Sequence, residues 1–254
     1  MILESFRLDG KRAIVTGAAQ GLGQGMAVGL AEAGADILGV DVRSPLAETR
    51  KLVEGAGRRF AELQADLSDA DCVPGILDAA RKELGNFDIL VNNAGIIRRH
   101  PAHEFPAEDW DAVMDVNLRS LFFLTQAFGK ALIDEKRPGK VVNVCSMLSY
   151  SGGILVAPYT ASKSAVAGIT RLLGNEWAPF DINVNGIAPG YMATDNTAPL
   201  REDPTRNREI LSRVPMDRWG TPRDLCGAVV FLASEAADYI TGTIIRVDGG
   251  WLTR

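Results

Sequence analysis

The chain has 254 residues, of which 46% are hydrophobic and 23% are charged, and its formal net charge is −5. This composition is that of a folded globular protein and excludes the collagen-like, fibrous and disordered classes. The acidic balance argues against nonspecific binding to nucleic acid or to an anionic membrane, because neutralising phosphates requires concentrated positive charge.

The three cysteines, Cys72, Cys145 and Cys226, are odd in number and too far apart for a zinc site of the CxxC type. We therefore expect reduced thiols in a reducing compartment and no bound metal. No segment reaches the ~20 apolar residues that a bilayer span requires. Charged residues interrupt the first ten positions, which is unlike a signal peptide. The sequence predicts a cytoplasmic protein.

Short apolar runs alternate with longer segments of helical periodicity along the whole chain. Runs such as AIVTG, DILVN and KVVNV are apolar on successive residues, which is typical of strands covered on both faces. Right-handed crossovers then give a doubly wound, mostly parallel sheet with helices on both faces. No linker or repeat divides residues 1–254, so they are predicted to form a single α/β domain. The predicted strands are residues 12–16, 36–41, 59–64, 88–91, 140–145, 183–187 and 243–247.

A glycine-rich turn with the spacing G-x-x-x-G-x-G follows the first predicted strand, at Gly17, Gly21 and Gly23. Glycine lets the backbone approach a diphosphate, whose charge meets the N-terminal end of the next helix. Asp41 lies at the end of the second strand, where a carboxylate binds ribose hydroxyls and repels a 2′-phosphate. The segment therefore predicts a dinucleotide site that prefers NAD(H). Arg43 would accommodate a phosphate, and we interpret it instead as a solvated arginine.

Tyr159 and Lys163 are four residues apart at the start of a long predicted helix, which places both side chains on one face. A neighbouring ammonium lowers the pKa of a phenol and makes it a usable general acid and base. Ser146 ends another predicted strand, so a doubly wound fold brings its hydroxyl to the same crevice. This arrangement predicts a site that exchanges protons with a substrate oxygen.

The polar, proline-punctuated segment from about residue 191 to 217 follows a late strand. Because ligands bind beyond the carboxyl ends of the strands, we interpret this segment as a substrate lid, with a surface excursion as the alternative. His100 and His103 flank Pro101 without zinc-like spacing, so a loop is expected there. The chain lacks the G-x-S-x-G, Walker A and H-E-x-x-H motifs, which argues against the commonest hydrolase functions.

Together these motifs resemble, in order and spacing, those of the classical short-chain dehydrogenases/reductases across essentially the whole chain. The resemblance implies a seven-stranded Rossmann sheet, a nicotinamide cofactor and a homotetramer. The matching residues are Thr16-Gly17-x-x-x-Gly21-x-Gly23, Asp66-Leu67, Asn92-Asn93-Ala94-Gly95, Asn117, Ser146, Tyr159-x-x-x-Lys163, Pro189-Gly190 and Thr194.

The same resemblance implies a role for each matching residue. Tyr159 is the catalytic acid and base, Ser146 polarises the substrate oxygen, and Lys163 holds the nicotinamide ribose. Asn117 is expected to hold a water in the proton relay. The implied cofactor contacts are Gly17, Gln20, Gly21, Leu22, Gly23, Asp41, Asp66 at the adenine, Leu67, Asn93 and Gly95 near the adenosine ribose, Tyr159, Lys163, Pro189 near the nicotinamide, and Thr194 at the carboxamide.

Within the family, the closer resemblance is to enzymes that interconvert a keto group and a secondary hydroxyl group on a deoxy-hexonate sugar acid from pectin or alginate breakdown. It is carried by the segments NNAGIIRR, SMLSYSGG, APGYMATDNT and VDGGWL, among others. A sugar acid needs a local cation in a protein of net charge −5. The candidates for binding its carboxylate are Arg98, Arg99 and Arg218.

Two alternatives remain open from the sequence. One is another dehydrogenase on the same scaffold, such as a gluconate 5-dehydrogenase, a sugar-alcohol dehydrogenase or a 3-oxoacyl-thioester reductase. The other is a nucleotide-sensing regulatory protein that kept the fold and lost catalysis. The second alternative is disfavoured because Asn117, Ser146, Tyr159 and Lys163 are all present.

Overall fold

The computed structural model describes residues 1–253, apart from the side chain of Ala70. Within these residues, seven parallel strands form one sheet in the order β3-β2-β1-β4-β5-β6-β7. The strands are β1 (Arg12–Thr16), β2 (Asp36–Asp41), β3 (Phe60–Gln64), β4 (Ile89–Asn92), β5 (Gly139–Val144), β6 (Ile182–Pro189) and β7 (Ile244–Val247).

Helices cover both faces of the sheet, as the sequence predicts. None of the helices within residues 1–253 combines the length and the apolar character needed to cross a bilayer. The helices are α1 (Gly21–Glu32), α2 (Ala47–Gly55), α3 (Val73–Leu84), α4 (Ala107–Met114), α5 (Ser120–Glu135), α6 (Ala157–Glu176), α7 (Ala198–Glu202), α8 (Pro204–Leu211) and α9 (Cys226–Ala233).

The hydrophobic core lies in two main layers, one on each side of the sheet. Successive residues of β1 face opposite layers because side chains alternate along a strand. Ile14 packs in one layer with Phe128 of α5, and Val15 packs in the other with Met26 of α1. All four side chains are fully buried. This two-sided burial explains why the strands are apolar on successive residues rather than on alternate ones.

The strand order reverses beside β1, which has β2 on one side and β4 on the other. In such sheets the loops at this point diverge and leave a crevice beyond the carboxyl ends of the strands. The predicted fold class, a doubly wound α/β sheet of the Rossmann type, is confirmed. Strand ends differ from prediction by one or two residues at most. One difference affects the site: β5 ends at Val144, so Cys145 and Ser146 lie in the loop beyond it.

Candidate active site

Two cavities open beyond the carboxyl ends of the strands and meet at Tyr159. The turn-side cavity, of about 630 Å³, is lined by the glycine-rich turn and by residues after β2, β3 and β4. The lid-side cavity, of about 650 Å³, is lined by the loop after β5, the end of β6, residues 191–213 and Trp251. Among the described residues, Tyr159 is the only one lining both cavities whose side chain ionises. The full shared set is Leu22, Ile97, Val144, Tyr159, Thr194 and Asn196.

The glycine-rich turn of residues 17–23 forms one wall of the turn-side cavity. Gly17 has a φ of +67°, a conformation that glycine adopts without strain. A Cβ atom on Gly23 would lie 2.0 Å from the Gly17 carbonyl oxygen, so helix α1 packs against the turn only because Gly23 has no side chain. The amide of Asn93 holds the turn by donating to the carbonyls of Thr16 (2.9 Å) and Gly17 (3.2 Å). The turn thus brings the N-terminus of α1, which stabilises anions, to the cavity.

Asp41 and Arg43 lie together at one end of the turn-side cavity. The two carboxylate oxygens of Asp41 accept hydrogen bonds from the backbone N–H groups of Ala19 and Arg43, each at 3.0 Å. The guanidinium of Arg43 donates to the side-chain oxygen of Gln20. The cavity therefore has, at the same end, a carboxylate that disfavours a 2′-phosphate, on Asp41, and a guanidinium that favours it, on Arg43.

Most of the implied cofactor contacts line the turn-side cavity, and its residues fit a nicotinamide dinucleotide. Asp66 lies there with its carboxyl pKa lowered by the backbone N–H of Ser68. Gly23 and Pro189 do not line it, because Gly23 packs behind the turn and Pro189 faces the lid-side cavity. The predicted contacts that do line it are Gly17, Gln20, Gly21, Leu22, Asp41, Asp66, Leu67, Asn93, Gly95, Tyr159, Lys163 and Thr194.

Ser146, Tyr159 and Lys163 converge where the two cavities meet. Ser146 is buried, and its hydroxyl accepts a hydrogen bond from the backbone N–H of Leu148 at 3.1 Å. Tyr159 lies in the first turn of α6, and its phenol hydrogen-bonds to Ser146. Lys163 follows one turn later, and its Nζ atom lies 5.9 Å from the centroid of the Tyr159 ring. The three side chains predicted to act together are thus brought together.

The electrostatics of Tyr159 differ from the expectation. Burial raises the pKa of the phenol, and the hydrogen bond of Ser146 and the charge of Arg99 oppose that rise. The Lys163 ammonium donates to the Val144 carbonyl at 2.6 Å, and burial lowers the pKa of Lys163 to about 8. The prediction of a lowered phenol pKa is wrong for this arrangement, because removing the phenolate from water outweighs the nearby charges.

Asn117 is fully buried in a π-helical turn, Asp115–Arg119, between α4 and α5. Its Oδ1 accepts from the Ile96 N–H at 2.8 Å, and its Nδ2 donates to the Ile96 carbonyl at 3.0 Å. The same amide lies 3.4 Å from the hydroxyl of Ser162, which donates to the Tyr159 carbonyl at 2.9 Å. Asn117 therefore links the loop after β4 to the first turn of α6. Such π-turns often occur at functional sites. The helical periodicity of the sequence does not predict this turn.

The three arginines considered for a substrate carboxylate lie in different places. Arg99 lines the lid-side cavity and donates to the Asn196 carbonyl at 3.2 Å. Arg98 pairs with Asp109 at 3.1 Å and lines only the turn-side cavity. Arg218 pairs with Asp224 at 2.7 Å and lines a third, separate cavity. Of the three, only Arg99 is placed to meet a substrate beside Tyr159.

The segment considered as a lid folds into a short turn, Asp195–Thr197, followed by α7 and α8. Gln20 donates to the Asp195 carboxylate at 2.9 Å and joins the segment to the glycine-rich turn. Two cavity cations in this segment, Arg206 and Arg213, were missed from the sequence, because arginines in a polar segment look like solvated surface residues. The segment's lining residues are Tyr191, Met192, Thr194, Asn196, Thr197, Leu200, Arg206, Glu209, Ile210, Ser212 and Arg213.

Known proteins resemble this chain over its whole length. Residues 17–252 match the family described as enoyl-(acyl carrier protein) reductase. The chain is 57% identical to 2-dehydro-3-deoxy-D-gluconate 5-dehydrogenase of Escherichia coli (strain K12), with 100% of both chains covered. The protein of the same name from Bacillus subtilis (strain 168) is 51% identical, with 99% of this chain and 98% of that protein covered. This chain belongs to the short-chain dehydrogenase/reductase family.

A solved family member from Agrobacterium tumefaciens, provisionally named a 2-deoxy-D-gluconate 3-dehydrogenase, contains bound NADP. It is 53% identical, with a TM-score of 0.93 and with 98% of this chain and 99% of that chain covered. As a short-chain dehydrogenase/reductase, the protein is an oxidoreductase that acts on CH–OH groups. The resemblance seen in the sequence, to this family and to its 2-dehydro-3-deoxy-D-gluconate 5-dehydrogenases, is confirmed.

Proposed function

We propose that the protein interconverts a keto group and a secondary hydroxyl group on a deoxy-hexonate sugar acid, as the name of its E. coli relative describes. A specific candidate is the reduction of a 3-deoxy-2,5-diketo-hexonate to 2-keto-3-deoxygluconate. The observation that carries the proposal is the position of Tyr159, the ionisable side chain shared by the two cavities. A substrate in the lid-side cavity and a cofactor in the turn-side cavity would both be in reach of its phenol.

In this mechanism, the chain contributes position and proton transfer. A bound nicotinamide supplies hydride exchange with the substrate carbon. During reduction, Tyr159 donates its phenolic proton to the carbonyl oxygen, and during oxidation the phenolate takes the proton from the substrate hydroxyl. Ser146 orients the same oxygen with its hydroxyl. Lys163 lines the turn-side cavity, where its ammonium would bind the ribose hydroxyls of the cofactor.

Asn117 acts, in this proposal, as a positioning residue for α6. Both groups of its amide are engaged with Ile96, and it contacts Ser162 directly behind Tyr159. These contacts fix the position of the first turn of α6 relative to the loop after β4. Participation of a water held by Asn117 in a proton relay stays a prediction of the family resemblance.

For the cofactor, we propose a preference for NAD(H) over NADP(H). The support is Asp41, whose carboxylate would repel a 2′-phosphate. Arg43 lies beside Asp41 and would favour the 2′-phosphate of NADP(H). The A. tumefaciens relative contains bound NADP.

The cofactor preference is tested by measuring kcat/KM with NADH and with NADPH. We expect Asp41→Ser to raise the NADPH/NADH ratio by about tenfold or more and Arg43→Ala to lower it. A wild-type preference for NADPH would refute the proposed preference.

The substrate proposal is tested by following NADH oxidation with a panel of ketones. We expect the highest kcat/KM with the 3-deoxy-2,5-diketo-hexonate, a lower value with 5-keto-D-gluconate, and much lower values with an uncharged ketohexose and a 3-oxoacyl thioester. The excess of arginine in the lid-side cavity supports a higher kcat/KM for the sugar acids than for the uncharged ketohexose. A thioester turned over faster than the sugar acids would overturn it.

For assembly, we propose the homotetramer that the family resemblance implies. Phe123 of α5 and Leu172 of α6 are large apolar side chains that stay exposed in the single chain, at 39% and 50%. Light scattering on the purified protein measures the mass directly. We expect Leu172→Glu to shift the mass toward smaller species.

We also propose a role in pectin breakdown and a cytoplasmic location. Detecting the protein in separated cell fractions tests the location.

A further inference from the structure

The lid-side cavity contains positively charged side chains that have no role in proton transfer by Tyr159. Its lining contains three arginines, Arg99, Arg206 and Arg213, against one carboxylate, that of Glu209. Glu209 pairs with Arg206 within α8. Within residues 1–253, no carboxylate lies within 4.0 Å of a nitrogen of Arg213. In a chain of net charge −5, this local excess of cations indicates a site for an anion.

Arg213 is held by an aromatic surface rather than by an ion pair. Its guanidinium carbon lies 4.1 Å from the centroid of the Trp251 ring. Trp251 is buried and packs on Tyr191 in a T-shaped arrangement, with the ring centroids 4.8 Å apart. Stacking on a ring occupies the face of a guanidinium, while its N–H groups lie in the plane at the edge. An arginine held in this way presents a planar fork that matches a carboxylate.

One backbone contact and one set of side-chain contacts hold this arrangement in place. The segment after Arg213 is tied to the turn before Trp251 by a hydrogen bond from the Met216 N–H to the Gly249 carbonyl at 3.1 Å. On the other side, the Trp219 indole packs on the edge of Tyr191 and donates to Asn207 of α8 at 2.7 Å. Residues that are far apart in the chain therefore place Arg213 and Trp251 against each other.

The cations are distributed over two parts of the cavity. The charge of Arg99 acts on Tyr159, where it opposes the rise in phenol pKa that burial causes. The charges of Arg206 and Arg213 act in the same sense on the pKa of Tyr191. The contacts agree with this division. Arg99 donates to the carbonyl of Asn196, which lines both cavities with Tyr159, and Arg213 lies over the Trp251 ring that packs on Tyr191.

We propose that Arg213, stacked on Trp251, binds the substrate carboxylate and selects sugar acids whose reacting carbon is remote from the acid group. This inference rests on the proposed function and assigns the part of the site that recognises the acid. With the carboxylate at Arg213, a keto group on the neighbouring carbon is held away from Tyr159. A keto group near the other end of the hexonate reaches Tyr159 and Ser146.

The experiment compares Arg213→Gln with wild type on two substrates, the anion 5-keto-D-gluconate and its uncharged methyl ester. We expect the KM for the acid to rise by roughly tenfold to a hundredfold with kcat within about threefold, because a charged hydrogen-bonded pair is lost. The KM for the ester should change far less. Arg213→Lys should give an intermediate KM for the acid. Arg208→Gln is the matched control, because Arg208 is an exposed residue of α8, the helix that ends two residues before Arg213, and it lies outside the cavity lining.

A second measurement does not depend on turnover of the reacting group. The dissociation constant of D-gluconate is measured by calorimetry on Tyr159→Phe, with and without Arg213→Gln, and melting temperatures establish that each variant is folded. A loss of affinity confined to Arg213→Gln supports the proposal. Equal effects on acid and ester, or unchanged gluconate binding, would overturn it. Absence of any sugar-acid turnover or binding by wild type would instead refute the proposed function.

Discussion

The two cavities that meet at Tyr159 are nearly equal in volume, about 630 and 650 Å³, yet different parts of the chain build them. The turn-side cavity is lined mainly by loops that directly follow the strands β1 to β4. The lid-side cavity depends on residues 191–213 and on Trp251, three residues from the end of the chain.

The two cavities also differ in how far their lining residues can be recognised from the sequence. A dinucleotide is recognised by backbone turns and helix ends, whose requirements appear as short motifs at fixed spacing. The lid-side cavity is lined instead by side chains of residues 191–213, whose arginines belong to no sequence motif. Substitutions at Tyr159, where the two cavities meet, in each cavity, and outside both cavities test this difference.

The largest effect is expected at the boundary itself, for Tyr159→Phe. Removing the phenolic hydroxyl should lower kcat by about a hundredfold to ten-thousandfold, while the remaining ring leaves NADH affinity within about twofold. Steady-state rates and a fluorescence titration with NADH measure the two quantities. Tyr239→Phe is the control, since Tyr239 is fully exposed and lines neither cavity. Retention of more than about a tenth of the activity would contradict the role of Tyr159 as general acid and base.

On the turn side, Gly23→Ala should weaken cofactor binding by roughly tenfold or more and lower the melting temperature, because inserting a methyl group into a packed contact costs about 1–3 kcal/mol. The added Cβ would lie 2.0 Å from the Gly17 carbonyl, so the turn must move. The matched control is Gly75→Ala in α3, where no atom lies within 4 Å of an added Cβ. An unchanged NADH dissociation constant for Gly23→Ala would show that the close approach does not shape the cavity.

On the lid side, Arg99→Gln should change the pH dependence of alcohol oxidation. Oxidation needs the phenolate of Tyr159, so its rate rises with pH through the Tyr159 pKa, whereas ketone reduction needs the neutral phenol. Arg99 lowers that pKa, and its removal should therefore move the oxidation profile to higher pH. The profile of Arg98→Gln, whose side chain is paired with Asp109, serves as the comparison. A shift to lower pH for Arg99→Gln would be inconsistent with this electrostatic role.

The smallest effect is expected for Arg218→Ala, which lies outside both cavities. Its exposed pair with Asp224 adds little to stability, and we expect kcat and KM for the sugar acid to stay within about twofold. The same steady-state assay checks this. A strongly raised KM for the acid would mean that the third cavity, and not the lid-side cavity, receives the substrate.

Much of the fold and of the catalytic center follows from local patterns. β1 and β2 match their predicted limits, because their interior residues lack polar side chains and a polar residue marks each end. Ser146, Tyr159 and Lys163 were predicted together because each lies at a strand end or on one helix face. The pKa of Tyr159 was predicted with the wrong sign, because its main cause is burial by distant residues and not the neighbour four positions away.

By itself, the sequence determined the doubly wound sheet, the glycine-rich turn and the spacing of Tyr159 and Lys163, since these follow from the periodicity and spacing of residues near each other in the chain. The tertiary structure alone decided which arginines line the lid-side cavity. Arg98, Arg99, Arg213 and Arg218 are equivalent as residue types, and only packing distinguishes them. Two of them pair with carboxylates, at Asp109 and Asp224, while Trp251 holds Arg213 at the cavity. The physical reason is that a charge binds a ligand only where the fold leaves it without a closer partner.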